Sequence, residues 1–476
     1  MIGLNLVNGF YYGKSNKTCR ESTKLITRGE KMGGLFGTDG VRGEVNQFLT
    51  AEMAFKLGKA GADYLTQDCS EAKILVGKDT RVSGDLLEAA LIAGISSLGV
   101  DVLKVGVVPT PAVAYLTAQE DVVAGVMISA SHNPVQDNGI KFFNQAGFKL
   151  TDQQEDEIEE IYFNQVDQLP LAAGDQVGQV TEGDHLVDSY LNHLKGTVNS
   201  DFSKLKVVVD CANGAAYQLT PQVLSDLGAE VIAINDQPSG YNINQDCGST
   251  YPEVIKEAVI KHEADLGIAH DGDADRLIAV DEEGKLVDGD YILTICGRYL
   301  LAQGELAHNT IVVTRYSNLG LHQAIKEDDG QVEVTKNGDR YVLAKMREAG
   351  YNLGGEKSGH IIFADYNTTG DGLLTALQLI EVIVESGKSL AKLREQMTAF
   401  PQLLVNVEVE NKVWEENQKI KEAIAGAEKV LGTAGRIFVR ASGTESVIRV
   451  MVEGQDEEEL ERLANQVVEV IEGELN

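Results

Sequence analysis

Four short runs carry the residue types that phosphoryl chemistry needs: SASHNP at 129–134, DGDADR at 271–276, GGEKSGH at 354–360 and RASGTES at 440–446. Ser131 stands among small residues, beside His132 and just before Pro134, so its loop can present one hydroxyl on a stiff backbone. Asp271, Asp273 and Asp275 fall at every second position, and the small residues between them allow a tight turn around one divalent cation. A serine that carries phosphate needs such a cation to screen the moving oxygens. Arg276 can pair with a phosphate. Taken singly, SASHNP reads equally well as a Ser/Asn/Pro turn, and DGDADR reads, less readily, as an acidic surface turn. Ser129 is a second candidate acceptor. DGDADR lacks the downstream ligands of an EF-hand.

Lys141, in DNGIKFF, follows Ser131 by ten residues and could act as a general acid/base or as a charge clamp. GGEKSGH offers Glu356 and Ser358 to sugar hydroxyls and His360 as a proton relay. In RASGTES, backbone N–H groups around Gly443 can form an anion nest, with Arg440, Ser442, Thr444 and Arg449 as further donors. The SGKS run at 386–389 lacks the upstream glycine of a P-loop, and no G-x-G-x-x-G follows a strand.

The elements that must position these loops alternate. Short apolar runs (73–77, 206–210, 229–235, 309–314) read as covered strands, and apolar residues three and four apart predict helices over 84–98, 252–263 and 371–386. The polar stretch from about residue 165 to 190 reads as a surface crossing. From about residue 400, LLVNVEVE and VIRVMVEG alternate like half-buried antiparallel strands. A last helix follows, with Leu460, Leu463, Val467 and Ile471 on one face. The expected fold is α/β, with three α/β domains of mixed, largely parallel sheets and a C-terminal α+β domain with an antiparallel sheet. The division is 32–190, 191–295, 296–400 and 401–476, after an extension at 1–31 that has no sustained period; Met32 is a candidate native start.

The chain's 476 residues are too many for one core, and its net charge of −32 disfavours nucleic acid and anionic membranes as partners. A local cluster of Arg, Lys and backbone N–H groups can still bind phosphate in an acidic molecule. The five cysteines have no metal-ligand spacing and read as thiols of a reducing cytosol. No run is apolar enough to predict a membrane span.

Together, FGTDGVRG (36–43), SASHNP, DNGIKFF, DGDADR, GGEKSGH, NTTGDG (367–372) and RASGTES resemble, in order, the α-D-phosphohexomutase superfamily from Met32 to the C-terminus. The resemblance implies four domains around a cleft, the last a mobile cap. It implies phosphoserine at Ser131, and Mg²⁺ on Asp271, Asp273, Asp275 and the Ser131 oxygen. Lys141, Arg42, His132 and His360 would serve the reacting centre. Arg276, Glu356 and Ser358 would bind the sugar phosphate, and Arg440, Ser442, Gly443, Thr444 and Arg449 would grip its other phosphate. FGTDGVRG, DNGIKFF and the SGTE-type loop look most like the branch that interconverts glucosamine 6-phosphate and glucosamine 1-phosphate in the cytoplasm, toward UDP-N-acetylglucosamine and cell-wall synthesis. That implies glucosamine or glucose 1,6-bisphosphate as activator. Mannose or glucose phosphates, or phosphosugar binding without catalysis, are the alternatives, and a homodimer is left open. Departures from the superfamily pattern are Ala274 for glycine, Ser446 for proline, Lys357 for Gln or Met, and unusual Arg315, Tyr316 and Asn337. Ala274 suits its loop if its φ is negative.

Overall fold

The structure is a computed structural model that describes residues 34–476, apart from Thr38, Asp68, Ser70, Thr433, residues 443–446 and Asn476. The extension at 1–31, the start at Met32, and Gly443, Thr444 and Ser446 therefore lie outside the described residues.

Four sheets follow one another along the chain. The first contains β1 (Val41–Glu44), β2 (Lys73–Lys78), β3 (Asp101–Val107), β4 (Ala124–Ile128), β5 (Asp137–Asn144) and β6 (Val180–Glu182), in the order β1-β5-β4-β2-β3-β6. The second contains β7 (Lys206–Asp210), β8 (Glu230–Ile234), β9 (Leu266–His270), β10 (Leu277–Asp281) and β11 (Leu286–Val287), in the order β11-β10-β9-β7-β8. The third, β12 (Thr310–Thr314), β13 (Gln331–Thr335), β14 (Leu353–Gly355) and β15 (Ile361–Phe363), runs β13-β12-β14-β15. The fourth is antiparallel throughout: β16 (Gln402–Glu408), β17 (Arg436–Ala441) and β18 (Val447–Glu453), in the order β16-β18-β17.

The inner parallel strands are apolar because helices cover them: Ile74 to Val76, Val207 to Val209 and Ile311 to Val313 are all fully buried. The predicted helices appear as Ser83–Ser96, Pro252–His262 and Gly372–Ser386, the last capped by Asp371, which accepts from Leu374 N–H. The NTTGDG run thus starts a helix. Asp371 also accepts from Tyr190 and Asn367, so its second oxygen is occupied as well.

The three α/β sheets repeat one arrangement that the sequence conceals. In each, a strand paired in parallel on one side (β4, β9, β14) runs through a loop into an antiparallel neighbour (β5, β10, β15). Those loops are SASHNP, DGDADR and EKSGH. The chemical residues of each domain therefore sit at the same place, where the sheet switches from parallel to antiparallel pairing.

The expected joints shift. Helices Val187–Lys195 and Gly289–Gln303 run across the divisions at 190/191 and 295/296, and a continuous helix does not make a joint. Segments Tyr316–Val332 and Glu395–Asn476 form one compact unit, distinct from the unit that ends at Arg394. The unit gathers Tyr316–Val332 because Leu319 N–H donates to Glu453, Asn318 exchanges hydrogen bonds with Phe400, and Arg436 bonds the Ser317 carbonyl. Within the unit, helix Glu457–Leu475 buries Leu460, Leu463, Val467 and Ile471 in a core shared with β16 to β18. Cys211, Cys247 and Cys296 are free and buried. Among the described residues no helix is long and apolar enough to cross a membrane.

Candidate active site

Ser131 adopts φ +51° and is 2% exposed. Its hydroxyl donates to Asp271 Oδ2 at 2.5 Å and lies 3.4 Å from His132 Nδ1. The left-handed backbone is held by neighbours that sequence reading missed. Arg81 pairs with Asp79 at 2.9 Å, both side chains fully buried, and donates to the carbonyls of Ser131, Asn133 and Pro134. Asn244 also donates to the Ser131 carbonyl. Ser129 is no acceptor candidate in this geometry: its hydroxyl donates to Asp79 at 2.7 Å and accepts from Ser131 N–H. The only sequence signal for this scaffold is the KDTR run closing β2.

The DGDADR loop abuts the serine loop backbone to backbone. A Cβ on Gly272 would meet the Ser131 carbonyl at 2.6 Å, and the Gly272 carbonyl accepts from Ala215 N–H at 2.7 Å, so glycine is required there. Ala274 has φ +52°, which overturns the condition of a negative φ. Alanine takes the left-handed conformation at a cost of roughly 1–2 kcal/mol. His270, fully buried, bonds the Arg276 carbonyl and Thr220, bracing both ends of the turn.

Asp271, Asp273 and Asp275 are all buried, and one ligand atom from each lies within 4.8 Å of the others. Burial and then the neighbouring Asp275 and Asp273 push Asp271 up to about 8. Asp273 Oδ1 and Asp275 Oδ1 are buried without a hydrogen-bond partner. Buried carboxylate oxygens left bare are costly unless a cation takes them, so this donor set fits a hard, oxygen-seeking metal ion.

Cations flank the triad. Lys141, on β5, is 1% exposed, with Nζ 2.9 Å from both Asp273 and Asp39. Burial works against its charge, and Asp273 and Asp39 outweigh it, so its pKa stands above the ordinary lysine value. Arg42 pairs with Asp39 at 2.7 Å and reaches Asn133 at 3.5 Å. His132 is pushed down to about 4 by burial and by Arg276 and Arg42, which keeps it neutral near pH 7. Arg276 anchors its backbone N–H on Asp271, and its Nε is buried without a hydrogen-bond partner.

The third loop brings His360 to the triad: Nδ1 lies 3.6 Å from Asp275 and Nε2 3.7 Å from Asp339. Gly370 N–H donates to Nε2 at 3.1 Å, favouring a neutral ring, while the two carboxylates favour an imidazolium. Opposed influences of this kind suit a proton relay. Glu356 accepts from Gly338 N–H, and Ser358 is exposed; neither touches the triad in the contacts described.

In the second unit, Arg440 on β17 stands directly opposite Arg449 on β18. Like charges facing across a sheet are unfavourable without an anion. Arg440 Nε donates to the Tyr316 hydroxyl at 2.9 Å, with the guanidinium over the same ring. Lys412, which no motif flagged, donates to the Ser442 carbonyl at the loop's edge.

Family models for phosphoglucomutase/phosphomannomutase match in succession: alpha/beta/alpha domain I over residues 33–168, domain II over 188–284, domain III over 288–400 and the C-terminal domain over 404–470. The chain belongs to this family. Phosphoglucosamine mutase of Desulforamulus reducens is 54% identical over 441 residues, covering 92% of this chain and 99% of that protein. The phosphoglucosamine mutase of Clostridium novyi is 52% identical over 448 residues, 94% of this chain and 100% of that one. Among solved structures, a phosphoglucomutase/phosphomannomutase family protein from Burkholderia thailandensis shares the fold at TM-score 0.79 and 24% identity, over 92% of this chain and 98% of that chain. Aspergillus fumigatus N-acetylphosphoglucosamine mutase, in complex with GlcNAc-6P and magnesium, does so at TM-score 0.66 and 19% identity, over 93% and 96%. As a member of the phosphoglucomutase/phosphomannomutase family, the chain is an intramolecular phosphotransferase.

Proposed function

We propose that this phosphotransferase interconverts glucosamine 6-phosphate and glucosamine 1-phosphate, with Ser131 as the phosphoryl carrier. The observation that carries the reading is the Ser131 hydroxyl, 2.5 Å from one carboxylate of a buried triad whose other members keep bare oxygens. The choice of sugar is supported by curated relatives above 50% identity that bear the name phosphoglucosamine mutase.

Asp271, Asp273 and Asp275 would hold Mg²⁺, which when bound neutralises charge on the phosphoryl oxygens. The chain's own residues do the rest. In the first transfer the bond from phosphorus to Ser131 Oγ breaks and one to a sugar hydroxyl oxygen forms, giving a bisphosphorylated sugar. His360 takes the proton that the hydroxyl releases. Lys141 and Arg42 supply fixed positive charge on one side, and Arg276 on the other. The sugar then presents its other phosphate: a bond from its phosphorus to Ser131 Oγ forms as the bond to the sugar oxygen breaks, and His360 returns its proton to that oxygen. Arg440, Arg449 and the loop at 442–444 hold whichever phosphate is not reacting, and Glu356 and Ser358 hold the sugar hydroxyls. Glucosamine or glucose 1,6-bisphosphate would prime the serine, and the product would feed UDP-N-acetylglucosamine synthesis in the cytoplasm.

The test is a panel of glucosamine, mannose and glucose 1-phosphates with Mg²⁺ and glucose 1,6-bisphosphate as primer. The highest kcat/KM is expected for the amino sugar. A higher value for mannose or glucose phosphate would overturn the substrate, and release of inorganic phosphate without isomerisation would overturn the reaction.

A further inference from the structure

Lys149, which no motif singles out, closes a ladder of alternating charge around the metal-binding loop. Its Nζ lies 2.5 Å from Asp39 Oδ1 and 2.6 Å from Asp339 Oδ2. The other oxygen of Asp39 holds Lys141, whose Nζ also holds Asp273. Asp339 in turn lies 3.7 Å from His360, whose other nitrogen faces Asp275. One end of the ladder thus rests on Asp273 and the other on Asp275, and Lys149 is the rung where the halves meet. Those halves come from separate sheets: Asp39 and Lys149 flank the first, while Asp339 opens helix Asp339–Ala349 beside the third.

We propose that Lys149 is a positioning residue for the metal site, fixing Asp39 and Asp339 so that Lys141 stays on Asp273 and His360 on Asp275. Without it, two carboxylates at 23% and 18% exposure lose a shared cation. Asp39 then draws on Lys141 and Arg42 alone, and Lys141 has less reason to stay centred on Asp273. Burial opposes the Lys149 charge, but Asp339 and Asp39 outweigh it and hold its pKa above the ordinary lysine value, so the rung stays charged at working pH. Partners of this outer kind set ligand orientation, and their loss costs metal affinity although they never touch the ion.

The inference rests on the triad holding a cation, and its test separates the two. Mn²⁺ is titrated into the full-length protein by electron paramagnetic resonance, and kcat and KM are measured at saturating Mg²⁺. Lys149→Met, one step further from the ion than a direct partner of a ligand, should weaken Mn²⁺ binding and lower kcat, each by up to about 10-fold, with KM little changed. Lys149→Arg, which keeps the charge and both hydrogen bonds, should recover most of both. Simple charge removal predicts the reverse sign for binding, because one less cation nearby favours Mn²⁺. Tighter or unchanged binding in Lys149→Met, or Lys149→Arg as impaired as Lys149→Met, would overturn the proposal. Asp273→Asn serves as the control: if it binds Mn²⁺ as the wild type does, the metal reading itself fails.

Discussion

The serine and metal loops of the first unit and the arginine hairpin of the second are built on opposite plans. Around Ser131 the loops are held by side chains from distant segments: Arg81 to three carbonyls of the serine loop, Thr110 to Asp273, Asn244 to Ser131. Around Arg440 the backbone is held by the adjacent antiparallel strand, and the side chain rests on the Tyr316 hydroxyl rather than on a buried ion pair. The contrast fits the two tasks proposed for these regions. A reacting centre gains from dipoles and charges already in place, because reorganising them during the transfer would raise the barrier. A site that must hold the phosphate of either isomer needs charge more than fixed geometry.

This difference can be broken by substitution. Arg81→Met should have the largest effect, since it takes the cationic partner from buried Asp79 and one donor from each of three carbonyls. We expect a loss of about 3–5 kcal/mol in urea unfolding and a fall in kcat of about a hundredfold from misplacement of Ser131. A variant of normal stability and turnover would show that the serine loop holds its shape alone.

Arg440→Ala should act on the other plan. KM for the sugar phosphate is expected to rise by a factor set by about 1.5–3 kcal/mol, with kcat nearly unchanged. Tyr316→Phe sharpens the point, because it removes only the hydroxyl that orients Arg440. A KM increase equivalent to about 0.5–1.5 kcal/mol is expected, and a fall in kcat instead would give Tyr316 a part in the phosphoryl transfer itself.

The smallest effect is expected for Ala274→Gly. Relief of the left-handed alanine, less the extra freedom glycine gives the unfolded chain, should stabilise by about 0.5–1 kcal/mol. A lower melting temperature would mean that the alanine methyl, fully buried, contributes more by packing than its backbone costs.

Much of this was legible in the sequence, because the residues that do chemistry occur in short runs. Ser131 and the three aspartates could be singled out as candidates from residue type and spacing, and the structure brings them together; the strands that carry them were legible because a covered parallel strand is apolar along its whole length. What escaped is what spacing cannot encode. Arg81, Asp79 and Lys149 meet the site through partners 50 to 190 residues away, which the local run around each does not reveal. The positive φ of Ala274 was hidden because alanine gives no hint of a left-handed turn, where glycine would have. The division at 190/191 falls inside helix Val187–Lys195, whose first residues lie in the polar stretch that reads as a crossing.

The central claim is that Ser131 carries the phosphoryl group. Intact-mass and fragment analysis of protein incubated with glucose 1,6-bisphosphate and Mg²⁺, run beside Ser131→Ala, tests it directly. One added phosphoryl group located on Ser131 and discharged by sugar monophosphate is expected, with neither label nor isomerisation in the variant. Full isomerisation by Ser131→Ala, or label on another residue that turns over with substrate, would contradict it.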